Sequence, residues 1–182
     1  MVSRVSEDDP FVELLDAGRV AEAGAARSRR RWLAAAAAEG ATLAGVLQDL
    51  VGRADLVTLG ILGGATVSAE VLAVGADVVV LDRHTGPLSL VPLGMVTTVE
   101  AGGAPVLGDR AAPDGPHLVD LLAAAGEREE TVVVDLAGGR VVRGVVDAAG
   151  VDVVRIRPED ARGGLTYVSL PSIREVAVFR SG

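Results

Sequence analysis

The chain has 182 residues and matches itself when it is shifted by 75 positions. Between positions 43 and 81, 13 of 39 residues are identical to those found 75 positions further along. After an insertion of two residues in a loop, the offset becomes 77 and continues to the end. Biased composition produces chance matches, but not three spaced blocks in one gapless frame, so we interpret the pattern as a tandem duplication. The blocks pair Leu43, Leu47, Arg53 and Val57 with Leu118, Leu122, Arg128 and Val132; Gly63, Gly64, Val67 and Val71 with Gly138, Gly139, Val142 and Val146; and Gly75, Asp77, Val78 and Val79 with Gly150, Asp152, Val153 and Val154.

Each copy begins with a predicted helix and continues into short strands. Apolar residues recur at helical spacing from Leu43 and again from Leu118, and Thr42 and Pro116 are the predicted start signals. Alternating Val, Leu and Ile then predict strands, because β-branched side chains suit a pleated surface. Paired glycines after the first strand predict a two-residue hairpin turn. The remaining predicted strands cover 65–74 and 140–149, begin at Asp77 and Asp152, and cover 88–93 and 165–170, then 96–100 and 173–179.

A helix followed by five short antiparallel strands, with a tight hairpin after the first, resembles the Sm-like (Hfq-like) fold. The family's first motif has a hydrophobic strand, a Gly turn, a second Gly and then an Asp. The resemblance covers 43–101 and 117–182 and implies a mainly β chain with helices: two tandem five-stranded Sm-like β-barrels, each preceded by a helix. The predicted domains are a helical leader (1–42), a first barrel (43–101), a linker (102–116) and a second barrel (117–182). Similar to the motif are Leu136, Gly139, Gly144 and Asp152 in the second copy, and Ile61, Gly64, Ala69 and Asp77 in the first.

The RNA contacts of the Sm-like family are missing from both copies. The family binds uridine-rich RNA through an Asn that follows the motif's Asp, but Val80 and Arg155 stand at this place and the chain has no Asn. The family's later Arg-Gly pair corresponds to Pro92–Leu93 and Ser169–Leu170. The net charge of −8 also disfavours binding to phosphates in general. We therefore expect no RNA binding of the usual Sm kind.

No residue pattern predicts catalysis, a cofactor or a metal. The chain has no Cys, and neither His84 nor His117 has a ligand-like neighbour at helical spacing. Asp77 and Asp152 allow two interpretations, a pair of functional carboxylates or a structural residue that caps a strand bend in each copy. Their equivalent positions in the repeat favour the structural role. The chain is therefore predicted not to be an enzyme.

Basic residues cluster only in the predicted leader helix, at Arg27, Arg29, Arg30 and Arg31. This cluster, with Arg155 of the second copy, is the candidate contact for nucleic acid or a protein partner. The alternative is a solvated helix face beside acidic neighbours. The acidic start of the chain has no apolar stretch of the signal-peptide type, so a cytoplasmic protein is predicted.

The sequence favours a non-enzymatic interaction or scaffold module, with a protein partner or a homo-oligomer. The alternative is an RNA- or DNA-binding regulator that uses the leader helix and the second barrel. An incompletely closed barrel leaves its fourth and fifth strands unpaired, and the apolar strands here carry no Lys to keep the edges solvated. We expect these edges to pair between copies or between chains. Closed pairing within one chain gives a monomer, whereas head-to-tail pairing leaves two free ends and predicts a ring of two or three chains.

Overall fold

A computed structural model describes residues 22, 24, 26–33, 35–36, 39–103, 107–108, 110–111, 113–159 and 164–180. The chain divides into two compact units, Met1–Gly40 and Ala41–Gly182. In the first unit, residues 26–33 are helical. Among the described residues, no helix is long and apolar enough to cross a membrane.

The second unit repeats the same series of elements, one helix and five strands, twice along the chain. Every element of the first half has its counterpart 75 or 77 positions later, within two residues at each end. The first series is α1 (Leu43–Leu50), β1 (Leu56–Ile61), β2 (Ala65–Val74), β3 (Val78–Asp82), β4 (Leu88–Pro92) and β5 (Val96–Ala101); the second is α2 (Leu118–Glu127), β6 (Thr131–Leu136), β7 (Val141–Ala149), β8 (Val153–Pro158), β9 (Thr166–Ser169) and β10 (Ile173–Phe179).

All ten strands belong to one antiparallel sheet, with the order β5-β1-β2-β3-β4-β10-β6-β7-β8-β9. The prediction of a mainly β chain with helices is confirmed. The two barrels predicted from sequence are not closed, because the fourth and fifth strands of each half do not pair with each other. The free edge of β4 pairs with β10 of the other half instead. The prediction that the two halves bury an edge against each other is therefore confirmed, and the pairing is head-to-tail.

The strand register also repeats between the halves. In β2 the register shifts between Val71 and Ala73 on β3, and in β7 it shifts between Val146 and Ala148 on β8. A second irregularity occurs where β1 meets β5 and again where β6 meets β10. Bulges of this kind bend a strand and increase its twist. Their recurrence means that both halves curve at the same places.

The hairpin loops after β1 and β6 differ from the predicted two-residue turns. Ile61 pairs directly with Ala65, so the first loop has three residues. In the second hairpin, the Leu136 N–H donates to the Arg140 carbonyl, which gives the same loop length. Gly64 and Gly139 end these loops with positive φ, the conformation that three-residue loops require at that position.

Both helices begin close to the predicted positions. The Thr42 hydroxyl accepts from the Gly45 N–H and caps α1. The predicted start signal Pro116 is not the cap of α2, because His117 occupies that position, where its backbone N–H donates to the Asp120 carboxylate. Pro116 lies one residue before this cap, where its missing N–H removes no hydrogen bond of the helix.

Two hydrophobic cores fill the second unit, one for each half. The first core gathers Leu47, Leu59 and Val91, and the second gathers Leu122, Ile156 and Ile173. The second core also takes residues from β3 and β4 of the first half. The two halves are therefore joined by shared packing as well as by the strand ladder.

Candidate functional site

The internal junction, where Leu88–Leu90 pair with Val176–Val178, shows how one half binds another. Leu90 lies opposite Val176, Ser89 opposite Ala177, and Leu88 opposite Val178. The ladder satisfies backbone groups that would otherwise be left on an open edge. This junction gives a model for any further contact that the same elements make.

A buried polar group strengthens the internal junction. Ser89 is fully buried and its hydroxyl donates to the Glu175 carboxylate, which also binds the Arg83 guanidinium. The two halves thus share charge-assisted hydrogen bonds across β4 and β10. Removing Glu175 would leave a buried hydroxyl without this acceptor.

Alternate residues of β3 and β4 point to different cores. Val79 and Val91 belong to the core of the first half, whereas Val78 and Leu90 belong to the core of the second. Because successive side chains of a strand face opposite sides, these two strands cover both halves at once. Leu90 is only 4% exposed, although β4 is the outermost strand of its own half, because β10 of the other half pairs with β4.

Asp77 of the first half caps the helix of the second. Its Oδ1 accepts from the Leu118 N–H at 2.7 Å, and its Oδ2 lies 3.3 Å from Nδ1 of His117. A carboxylate at a helix N-terminus satisfies a free donor and complements the helix dipole. The structural role predicted for Asp77 is supported, but the residue caps a helix rather than a strand bend.

An open cavity of about 700 Å³ lies beside the internal junction. Its walls are mainly apolar, with Met95 from the first half and Leu170 and Ile173 from the second. Asp77 and Asp152 both line it. Within the part of the chain that the structure describes, no cluster of three His, Asp or Glu side chains is arranged to hold a metal ion.

The β9 edge (Thr166–Ser169) ends the sheet on the side of the second half. Tyr167 occupies the repeat position of Leu90, but Tyr167 is 65% exposed because β9 is the last strand of the sheet and has no neighbour on its outer side. Leu165, at the repeat position of Leu88, is 43% exposed. The outer apolar positions that are covered at the internal junction are therefore uncovered on this edge.

The β5 edge (Val96–Ala101) ends the sheet on the other side. Val99 is half-buried and Ala101 is exposed, whereas their counterparts Val176 and Val178 are buried at the internal junction. On α1, Leu43 is 38% exposed, while its counterpart Leu118 is 4% exposed. On the side of β5 and α1, the first half therefore exposes apolar positions whose counterparts in the second half are buried.

Arg155, the predicted contact residue of the second half, lies on β8 next to the β9 edge. Its Nε donates to Asp147 at 2.5 Å, and Arg157 binds the other oxygen of the same carboxylate at 3.1 Å. The hydrogen bonds from Arg157 and then Arg155 lower the pKa of Asp147 below its ordinary value of 3.8. The Asp147 carboxylate in turn raises the pKa of Arg155, which Tyr167 raises further. Two guanidinium groups therefore share one carboxylate here.

The lowered pKa of Asp147 predicts a pH-dependent contribution to stability. Because protonation is harder in the folded state, the ion pairs stabilise the fold above pH 3.8, and this stabilisation is lost as the pH falls through the lower folded-state pKa. We expect the Asp147→Asn variant to unfold at a lower urea concentration than the wild type at pH 7. The difference should narrow at pH 3, and an equal difference at both pH values would contradict the prediction.

The basic cluster of the leader lies on the helical residues 26–33 of the first unit. Arg27, Arg29, Arg30 and Arg31 are all exposed, and Trp32 beside them is 72% exposed. Arg155 belongs to the second unit, so the predicted contact residues do not form one cluster within either unit.

The sequence analysis missed the residues that build the junction and its open counterparts. Glu175 meets Ser89 and Arg83 across 86 and 92 positions of the chain, and no local pattern predicts such contacts. Tyr167 did carry a signal, because it is the only Tyr and stands where the repeat has Leu90.

No protein-family model matches the chain, and no curated protein has significant sequence similarity to it.

Proposed function

We propose that this chain is a non-enzymatic scaffold module, built from two Sm-like barrels, that binds protein by extending its sheet at the two open edges. The observation that carries the proposal is the internal junction, where the fourth strand of one half pairs with the fifth strand of the other. A module that associates by pairing β4 with β10 inside the chain retains the equivalent edges, β9 and β5, for association outside it.

Two further features support Sm-like barrels as the unit. Each half has its own core, its own helix and the strand order fifth-first-second-third-fourth. Bulges in the second strand of each half bend it at the same place, which is how a small sheet curls towards a barrel.

The uncovered strands β5 and β9 are short and have no Lys, since the chain has none.

Light scattering at micromolar concentration, with amide exchange, tests this proposal. We expect a mass above the 18.5 kDa of one chain and slow exchange along Val96–Ala101 and Thr166–Ser169, because paired edges protect their amides. A mass near 18.5 kDa, with fast exchange of the β5 and β9 amides that do not bond to β1 and β8, would show that the edges are simply solvated and would overturn the proposal.

A regulator that binds RNA or DNA is the second candidate, and the exposed cations favour it. Arg29, Arg30 and Arg31 lie beside an exposed Trp32, and aromatic side chains next to Arg suit single-stranded bases. Against it stands the net charge of −8. The ratio of absorbance at about 260 and 280 nm of the purified protein discriminates the two, since bound nucleic acid raises it and its salt-dependent release identifies phosphate contacts.

A further inference from the structure

We infer that the cavity beside the internal junction binds a small organic cation, which carries a protonated amine on a compact apolar body. This ligand site is separate from the two open edges and goes beyond the proposed function. The cavity has a volume of about 700 Å³, within the range of pockets that hold small molecules. It is open to solvent, so a ligand reaches it without unfolding of either half.

The cavity lies between the two halves. One wall is the turn between β4 and β5 of the first half, which contributes Met95. The other wall belongs to the second half and comes from the start of α2 and from the turn between β9 and β10, with Leu118, Leu170 and Ile173. Neither half encloses the cavity alone, so the site is a product of the junction.

The start of α2 is held against the first half by short contacts. The Ala76 N–H donates to the Pro116 carbonyl at 3.2 Å. The Leu118 N–H donates to Oδ1 of Asp77 at 2.7 Å. Gly75 approaches so closely that a Cβ there would lie 2.2 Å from the Pro116 carbonyl oxygen. This wall is therefore formed before a ligand arrives, which lowers the entropic cost of binding.

The two turns at the cavity are fixed in equivalent ways. The Leu93 N–H donates to the Asp77 carbonyl at 2.8 Å. The Leu170 N–H donates to the Asp152 carbonyl at 2.9 Å. The backbone of each Asp thus holds one turn in place, while both Asp residues line the cavity.

The carboxylates determine the charge of the ligand. Asp77 and Asp152 line the cavity, and none of the described lining residues is an Arg. The Asp77 carboxylate is already engaged, because it binds the Leu118 N–H and lies 3.3 Å from Nδ1 of His117. The exposed Asp152 carboxylate has no hydrogen bond or ion pair within the described part of the chain. Asp152 is therefore the group that binds an ammonium, and the same carboxylates disfavour a phosphate.

The apolar walls determine the body of the ligand. Val151, next to Asp152, is 99% exposed, and Met95 and Leu170 are half-buried. A hydrocarbon or aromatic ring placed against these side chains removes apolar surface from water. An exposed ion pair alone contributes little. The apolar body therefore supplies most of the affinity, and Asp152 selects an amine over a neutral or anionic compound.

Titration of the full-length chain with naphthylmethylamine, followed by the NMR shifts of the backbone amides, tests the inference. Naphthylmethanol is the neutral control of nearly the same shape, and naphthoate is the anionic control. We expect saturable shifts at Val151, Asp152 and Leu170. The amine should bind about fivefold more tightly than the alcohol, the upper range for one exposed ion pair, and naphthoate more weakly than the alcohol.

Two variants separate the charge from the apolar contact. In Asp152→Asn, which removes the charge with little change of size, the amine should bind no better than the alcohol. Asp55→Asn is the matched control, because Asp55 is an exposed carboxylate outside the cavity and the change of net charge is the same. Val151→Ser should weaken the amine and the alcohol alike, by about twofold, because it removes apolar contact only.

An amine preference that is lost in Asp152→Asn and kept in Asp55→Asn supports the site. Equal affinities of the amine and the alcohol, or tighter binding of naphthoate, overturn the inference. The same holds for shifts that do not saturate or that lie outside the cavity, and for an amine preference that persists in Asp152→Asn. None of these results depends on the mass of the protein in solution, so they leave the proposed function untouched.

Discussion

Truncation of Leu90 to Ala is expected to lower the free energy of unfolding of the 41–182 unit by about 2–5 kcal/mol, the usual range for a buried leucine. Leu90 belongs to the first half by sequence but packs into the core of the second. The substitution would therefore leave a cavity in the core of the second half, although the substituted residue belongs to the first half. Because the halves share this residue and the strand ladder, we expect one cooperative transition rather than two.

Urea unfolding followed by circular dichroism and by one-dimensional NMR measures the loss and tests for coincident transitions. Tyr167→Ala is the matched control, since Tyr167 holds the same repeat position but is 65% exposed. Tyr167→Ala should change the free energy of unfolding of the single chain by no more than about 0.5 kcal/mol. The loss should be larger at higher protein concentration, because only the associated state covers the ring. Equal losses for the two variants at low concentration would show that β4 and β9 have the same surroundings.

The sequence predicts the local features of this fold well because the repeat samples each of them twice. The helix α1, the strand β2 and the hairpin glycines Gly64 and Gly139 follow from periodicity and from the need for positive φ. The loop length was wrong by one residue, because a glycine pair fits a two-residue turn as well as the end of a three-residue loop. Such a difference is decided by the register of the strands and not by the loop sequence.

Which edge pairs with which is settled by contacts between distant residues. The apolar character of β4 and β9 predicts that both edges need a partner, but it does not separate a closed pair from a head-to-tail chain of modules. The difference lies in Ser89 and Glu175, which meet at the internal junction and are threonines at the open edges. The sequence does not show that the predicted contact residue Arg155 shares the Asp147 carboxylate with Arg157, because this contact forms only in the folded sheet.

Tyr167→Glu is expected to abolish association of the chains while leaving each chain folded. In the single chain the side chain at this position is exposed and lies opposite Arg155 across β8 and β9, so a carboxylate there gains a cross-strand ion pair. In the associated state the same position is covered, as Leu90 is at the internal junction. Burying a carboxylate costs several kcal/mol even when it is paired, because the ion pair loses its hydration.

Association should therefore weaken on the order of 100-fold or more, which corresponds to about 3 kcal/mol of the desolvation cost. Light scattering should give the mass of one chain, 18.5 kDa, at concentrations where the wild type is oligomeric. Val141→Glu is the control, because Val141 is an exposed apolar residue of the same half on the interior strand β7, away from either edge. It carries the same change of charge, so any effect of net charge on association appears in both variants. Loss of the oligomer in Tyr167→Glu alone places the contact on the β9 edge, whereas an unchanged mass in that variant would mean that this edge is not where the chains meet.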